Sequence, residues 1–285
     1  MTEFAQSADA GAAMLVALDV DGTLVTHQDV MSPQVAQAVS ELDAAGHHVV
    51  LSTGRSVLAT LDVAARTGLD QVWGVVSNGA VTVRFDVQSP SGWTAVDQVS
   101  FDATDVIGLL ASELPDAMFA VEDVGYGFRL NRPFPPGELT GCQTVVDLAE
   151  LVADPITRAV VRSPDHTPDD FHELVSRLGL DDVTYAIGWT AWMDIAPAGV
   201  TKASALESVR RELGVPPERT VAIGDGHNDI DMLRWAARGV AMGHADAAVQ
   251  AAADEVTGSI EQDGALAVLR GVLAGRPERG GLRAV

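Results

Sequence analysis

Met14-Leu15-Val16-Ala17-Leu18-Asp19-Val20-Asp21-Gly22-Thr23-Leu24 is the stretch that decides how the chain is read. Residues 14–18 form a short apolar run with the length of a strand buried on both faces, the kind found inside a parallel sheet. The run ends in a carboxylate, and a polar loop follows. Further on, Ser32-Pro33 is a favourable N-cap and first-turn pair, opening a helix in which Val35, Val39 and Leu42 recur at helical spacing until Gly46. Residues 49–51 read as a second buried strand. Ser52-Thr53-Gly54-Arg55 leads into a helix with Leu58, Leu61 and Ala65 on one face, stopping near Gly68. A third strand, 73–76, ends at Ser77-Asn78-Gly79. Strands alternating with helices, with polar motifs at the strand ends, describe a parallel sheet covered by helices; sites in such sheets lie beyond the carboxyl ends of the strands.

From about Val81 the pattern changes to alternation at Val81, Val83 and Phe85, followed by Pro and Gly turns. Helices are expected at 102–113 and 168–178, and strands at 118–121, 126–130, 156–161, 183–187 and 192–195. The Pro- and Gly-rich stretch 131–141 reads as irregular. After Pro197 the first texture returns: a helix over 201–213, a strand over 220–223, Gly224-Asp225-Gly226, a helix through Leu233, a strand over 239–242 and two closing helices. The expected fold class is therefore α/β, a Rossmann-like parallel-sheet core carrying an inserted α+β module. The boundaries are a flexible N-terminus at 1–13, a core from 14–82 and 196–275, the insertion at 83–195, and a flexible tail at 276–285.

Composition narrows the function classes. The 285 residues suffice for one large or two modest domains, each with its own core. With 40 acidic against 18 basic residues the formal net charge is −22, so the surface as a whole repels phosphate backbones and anionic lipid heads. No nucleic-acid or membrane partner is expected. Cys142 is the one cysteine, which excludes an internal disulfide and a multi-cysteine metal cage. No apolar run approaches the roughly 18 residues of a membrane span, and residues 12–18 lack a basic flank, so the expected compartment is the cytoplasm. Of the 18 basic residues, 17 are Arg and one is Lys202. A compact ammonium differs chemically from a planar guanidinium fork, which singles out Lys202 as a position where Arg would not serve.

Four polar elements stand at expected junctions of the core: Asp19-Val20-Asp21-Gly22-Thr23, Ser52-Thr53-Gly54-Arg55, Lys202, and Gly224-Asp225-Gly226-His227-Asn228-Asp229. Such junctions converge at one edge of a parallel sheet. Gathering Asp19, Asp21, Asp225 and Asp229 there costs about 4 kcal/mol per pair at 4 Å and an effective dielectric near 20, so a cation must accompany them. Oxygen-only ligation points to Mg²⁺, which pairs one or two carboxylates with waters and a substrate phosphate. With a phosphate ester in place, Asp19 is suited to attack phosphorus, and Asp21 to protonate the leaving oxygen and later activate water. Lys202 and the Thr53 hydroxyl would hold the equatorial oxygens, and backbone N–H groups near Gly54 would add donors.

In order and spacing, these four elements resemble the motifs of the haloacid dehalogenase superfamily of phosphohydrolases. The insertion, with Ser77-Asn78-Gly79-Ala80 before it, resembles the type II α/β cap of the Cof-type subfamily. The resemblance runs from about Met14 to Ala274. It implies Mg²⁺-dependent hydrolysis of a small phosphomonoester through an aspartyl-phosphate on Asp19, which would also bind the metal. Asp21 would be the acid/base and a metal ligand through its backbone carbonyl, and Asp225 a metal-binding aspartate. Thr53, with Ser52 as the alternative, would bind phosphate together with Gly54 and Lys202. Asn228 and Asp229 would orient phosphate, lysine and metal-bound waters, with Asn228 assigned to phosphate. The same motifs also serve sugar phosphotransferases and phosphomutases, and the scaffold admits a non-catalytic phosphate-ligand binding protein.

Other residues carry weaker signals. Arg55 either contacts substrate or packs its own loop. His47, His48, His227 and His244 match no transition-metal spacing, and His227 reads as a rim residue. Cys142 reads as an inert residue of an inserted loop, and Trp189 and Trp192 as packing residues of the insertion. Arg129, Arg132, Arg158 and Arg162 either reach a second anionic group of the substrate or pair with nearby carboxylates. The identity of the phosphorylated substrate and the oligomeric state are not written in these features.

Overall fold

A computed structural model describes residues 13–164, 166–180, 182–187 and 191–275. The expected flexible ends, 1–13 (Ala13 apart) and 276–285, and Trp189 lie outside the described residues. In chain order the strands and helices are β1 (Leu15–Leu18), α1 (Pro33–Ala44), β2 (His48–Ser52), α2 (Val57–Arg66), β3 (Gln71–Val76), β4 (Val81–Asp86), β5 (Trp93–Gln98), α3 (Thr104–Glu113), β6 (Met118–Asp123), β7 (Gly127–Leu130) and β8 (Cys142–Val145). There follow α4 (Leu148–Leu151), β9 (Ala159–Arg162), α5 (Pro168–Leu178), β10 (Val183–Ile187), β11 (Trp192–Pro197), α6 (Lys202–Glu212), β12 (Thr220–Gly224), α7 (Ile230–Trp235), β13 (Arg238–Ala241), α8 (Ala247–Ala252), β14 (Glu255–Val256) and α9 (Gly264–Leu273). The chain packs as two compact units. Among the described residues, the first takes 13–52, Ala64–Trp73 and 206–275; the second takes Thr53–Val63 and Gly74–Ala205.

The first unit contains the sheet run β14-β13-β12-β1-β2-β3. The pairs β1/β12, β1/β2, β12/β13 and β13/β14 are parallel. All four residues of β1 are buried, which is why its sequence is a continuous apolar run rather than an alternating one. Helix α1 buries the stripe Val35, Ala38, Val39 and Leu42, and each of its larger apolar side chains contributes about 1.5–3 kcal/mol on burial. From β1 the chain builds outward through β2 and β3 in one direction, and later through β12, β13 and β14 in the other. The sheet order therefore reverses between β1 and β12, the place where α/β sheets open a crevice for ligands.

In the second unit the end of β3 continues into β4 and β5, the latter two antiparallel. A six-stranded sheet follows in the order β10-β11-β9-β6-β7-β8, antiparallel except for the parallel pair β7/β8. One sheet face, with Phe119, Val121, Ala159, Val161, Met193 and Ile195, packs against Ile107 and Leu110 of α3 and Phe171 and Val175 of α5. Because side chains alternate along a strand, Ala120, Val160 and Trp192 point to the opposite face, joined there by Phe128, Leu130 and Phe134. The stretch 131–141 contains no helix or strand, as its Pro and Gly content predicts.

Candidate active site

Asp19 follows the last residue of β1, and its backbone N–H donates to Ile223 O of β12 at 3.0 Å. Asp225 follows the last residue of β12. Both aspartates thus leave adjacent parallel strands at their carboxyl ends, at the switch point of the sheet. Carboxylate oxygens of Asp19, Asp225 and Asp229 lie within 4.8 Å of one another, and all three residues are buried. Asp229 is held by two backbone donors, Asp225 N at 3.0 Å and Gly226 N at 2.9 Å, both onto Oδ2. Asp225 accepts from the Thr23 hydroxyl at 3.4 Å and lies 3.3 Å from His244 Nε2. Three buried carboxylates this close repel by about 3–4 kcal/mol per pair at an effective dielectric near 20. An all-oxygen set of this kind fits a hard divalent cation.

The backbone around the triad is shaped for close approach. Gly22 has φ +77°, and a Cβ on it would fall 2.2 Å from Asp225 Oδ2. The loop that puts it there is fastened by Val20 O, which accepts from Thr23, Leu24 and Val25 N at 3.3, 2.9 and 2.9 Å. Asp21 is exposed and lies outside the triad, and Asn228 is half-buried. His227 is exposed, its Nε2 against Asp246 Oδ2, as a rim position predicts. His244, absent from the sequence-derived site, touches Asp225; it follows the end of β13 by three residues, the same kind of junction that marks the aspartates.

In the second unit, the remaining motif residues gather around the turn Ser77–Gly79. Thr53 is fully buried; its N–H donates to Val75 O at 2.8 Å, and its hydroxyl accepts from Arg55 N at 3.1 Å. Asn78 N donates to Thr53 O at 3.1 Å, and a Cβ on Gly54 would meet Asn78 Oδ1 at 3.1 Å. On the other side of the turn, a Cβ on Gly79 would fall 2.2 Å from Thr201 O. Thr201 and Ser204 cap α6 reciprocally, Ser204 N to Thr201 Oγ1 at 3.2 Å and Thr201 N to Ser204 Oγ at 2.9 Å. Lys202 is the next residue and is 1% exposed. Thr53 and Gly54 on one side and Lys202 on the other therefore share this turn. Arg55 Nη1 donates to Ala59 O at 3.3 Å, a bond within its own loop and helix. In the first unit Ser52 is also buried, and its Oγ has no hydrogen-bond partner among the described residues.

Four arginines of the insertion each meet carboxylate or carbonyl oxygens. Arg129 donates to Asp123 at 3.0 Å, Arg132 to Asp116 O at 3.1 Å, and Arg162 to Glu138 Oε1 at 3.0 Å. Arg158 is buried between two strands, donating through Nε to Asp194 Oδ1 at 2.7 Å and lying 3.7 Å from Glu122 Oε2. Burial pushes the Glu122 carboxyl above the usual glutamate range, opposed by Arg158 and by the Ser77 hydroxyl. The flanking carboxylates, Asp194 foremost, hold the Arg158 guanidinium in its charged form against the cost of burial. Trp192 packs edge-to-face on Phe134, ring centroids 6.0 Å apart. Cys142 is exposed and begins β8 rather than lying in a loop.

A parallel α/β sheet with a buried carboxylate triad at its switch point, its chain interrupted by an α+β module, defines a Rossmann-like α/β protein with an all-oxygen site suited to a hard divalent cation. The haloacid dehalogenase-like hydrolase family matches residues 16–269, and the chain belongs to that family. Pyridoxal phosphate phosphatase YbhA of Escherichia coli is 30% identical over 265 residues, 87% of this chain and 94% of that protein. The 5-amino-6-(5-phospho-D-ribitylamino)uracil phosphatase YitU of Bacillus subtilis is 26% identical over 276 residues, 90% and 96% of the two chains. Among solved structures, a haloalkanoate-superfamily phosphatase from Bacteroides thetaiotaomicron superposes with a TM-score of 0.74 at 26% identity, covering 95% of this chain and 99% of its own. The α/β fold and the Cof-type resemblance are thereby borne out, and the chain is a phosphatase. Among the described residues no helix is long and apolar enough to cross a membrane.

Proposed function

We propose that the chain hydrolyses a small phosphomonoester through an aspartyl-phosphate on Asp19, with Mg²⁺ as cofactor. The observation that carries this is the burial of Asp19 at the end of β1, within 4.8 Å of Asp225 and Asp229. Residues 14–82 and 196–275 are assigned to the core and 83–195 to the cap. Mg²⁺, bound by Asp19, Asp225 and the backbone carbonyl of Asp21 with Asp229 orienting its waters, would neutralise carboxylate and phosphoryl charge.

The chain's own residues do the rest. A carboxylate oxygen of Asp19 attacks phosphorus as the bond to the ester oxygen breaks, and Asp21 gives its proton to the departing alcohol. Asp21 then takes a proton from water, whose oxygen displaces the Asp19 carboxylate from phosphorus and releases inorganic phosphate. Thr53, the Gly54 N–H, Lys202 and Asn228 hold the phosphoryl oxygens where charge concentrates. The negative protein surface admits an anionic substrate because the metal and Lys202 reverse the potential locally. Arg55, which donates through Nη1 to Ala59 O, is a further candidate for substrate contact.

Asp19→Asn should abolish release of phosphate from an aryl phosphate while circular dichroism stays native. Near-normal turnover in that variant would overturn the mechanism. For the substrate, the names of these two relatives suggest a phosphomonoester of a molecule that also carries a heteroaromatic ring, a pyridine in one and a uracil in the other. A panel with pyridoxal phosphate, the phosphoribitylamino-uracil, flavin mononucleotide and hexose phosphates, each with Mg²⁺ and with EDTA, tests both substrate and metal.

A further inference from the structure

Glu122, Arg158 and Asp194 do not belong to any motif, yet the sheet aligns them. Glu122 lies in β6, Arg158 immediately before β9 and Asp194 in β11, and the pairings Ala120↔Val160 and Asp194↔Val160 put all three on the face opposite the helices. Glu122 is 4% exposed and Arg158 6%. A glutamate this deeply buried requires a reason, because burying a carboxylate is costly unless it is paired and hydrogen-bonded. Arg158 supplies one partner, but Arg158 is already engaged by Asp194 at 2.7 Å.

Two hydrogen-bond donors to the Glu122 carboxylate come from the stretches that frame the phosphate-binding residues, while its Oε1 has no hydrogen-bond partner among the described residues. Ser77 Oγ donates to Glu122 Oε2 at 2.6 Å, and the backbone N–H of Val57, the first residue of α2, also hydrogen-bonds this carboxylate. Ser77 N in turn donates to Arg55 O at 2.8 Å, tying the two stretches to each other. The turn that Glu122 grips is unusual: Ser77, Asn78 and Gly79 take φ of 51°, 55° and 101° in succession. L residues rarely hold such a conformation, so it persists only where neighbours over-determine it. Thr53 hangs on this turn through Asn78 N, and the start of α6 packs on it through Gly79.

We propose that Glu122 is a positioning residue for phosphate binding: its carboxylate clamps the Ser77–Gly79 turn and the start of α2, fixing the backbone that carries Thr53, Gly54 and Lys202. The inference rests on the assignment of those three residues to the phosphoryl oxygens. It goes beyond that assignment by placing control of phosphate affinity on a residue of the six-stranded sheet that touches neither substrate nor metal.

The test compares Ser77→Ala, Glu122→Ala and Glu122→Gln with Thr53→Ala and Lys202→Arg in the full chain. The readouts are the inhibition constant of inorganic phosphate, KM and kcat for an aryl phosphate with Mg²⁺, and thermal melting. Removing the clamp by Ser77→Ala or Glu122→Ala is expected to weaken phosphate and raise KM by about five- to tenfold, with a smaller change in kcat. Glu122→Gln keeps an acceptor oxygen for Ser77 and should recover most of the affinity that Glu122→Ala loses. If Glu122→Ala does not fold, Ser77→Ala, which deletes one hydroxyl, decides alone. Wild-type phosphate affinity in Ser77→Ala alongside large losses in Thr53→Ala and Lys202→Arg would overturn the positioning role only. Unchanged affinity in Thr53→Ala and Lys202→Arg would show the phosphate residues themselves to be misassigned, and the inference would fall with them.

Discussion

Gly22 shows how little room the acidic site leaves. Its φ of +77° already favours glycine, and a Cβ there would fall 2.2 Å from the Asp225 carboxylate. Gly22→Ala is expected to cost about 1–3 kcal/mol of stability from backbone strain and, by displacing Asp225, to raise the Mg²⁺ concentration needed for half-maximal turnover about tenfold. A Mg²⁺ titration of phosphatase activity, read beside the melting temperature, separates the two effects; a wild-type titration would show that Asp225 is not held by this contact. Lys202, at the first position of α6, is 1% exposed, so its ammonium is held away from bulk water. Lys202→Arg should lower kcat/KM by about 100-fold or more, since a planar fork cannot take the place of a point charge in a closed pocket. A mild effect would reduce the lone lysine among 18 basic residues to chance. At this scale the placement of Asp19 and Asp225 was legible because each directly follows a buried strand, a signal that needs only local sequence. Glu122 was not, because nothing in Met-Phe-Ala-Val-Glu-Asp marks the fifth position as inward-facing; its burial comes from the strands paired on β6.

Elements were legible in proportion to how much apolar surface they bury. The matches at 168–178 and 183–187 are complete, and the central strands β1, β2 and β12 were found to within a residue or so at each end. Strands β5 and β8 were missed, and both are edge strands whose residues are almost all exposed, so no alternation or apolar run announces them. The sequence pattern places Ile156 in the strand over 156–161, but Ile156 forms an isolated bridge to Phe101 and β9 begins at Ala159. Helix α6 carries a polar device of its own. Glu207 accepts from Arg210 at 2.7 and 2.8 Å, Arg211 at 2.7 Å and Trp235 Nε1 at 3.1 Å, and the Arg210 guanidinium beside it holds its carboxyl down at about 2. A carboxyl depressed in the folded state adds stability above its unfolded value near 4.5, and that contribution is lost as pH falls from 4.5 toward 2. Glu207→Gln is therefore expected to lower stability by about 1 kcal/mol at pH 7, and the gap between variant and wild type should close as pH falls toward 2. Urea titrations at pH 7 and at successively lower pH check this, and a gap that widens on acidification would contradict it.

For the whole molecule, the charge of −22 and the buried triad pull in the same direction. Self-repulsion of a strongly acidic surface is screened by any salt, whereas repulsion among Asp19, Asp225 and Asp229 responds chiefly to a cation that enters among them, because buried charges are poorly screened. The two contributions can be separated by comparing salts at equal ionic strength. A ligand that binds the folded state alone stabilises by RT ln(1 + [L]/Kd), about 2.7 kcal/mol at 100 times its Kd, which for a chain of this size corresponds to roughly 5 °C or more in melting temperature. MgCl₂ should therefore raise the melting temperature above that in NaCl of matched ionic strength, EDTA should remove the difference, and Asp225→Asn should melt alike in both salts. The variant also loses one of three repelling charges, so its melting temperature in EDTA should equal or exceed that of the wild type. A triad held together for structural reasons alone would give the opposite result: no difference between the salts, and a variant destabilised in both.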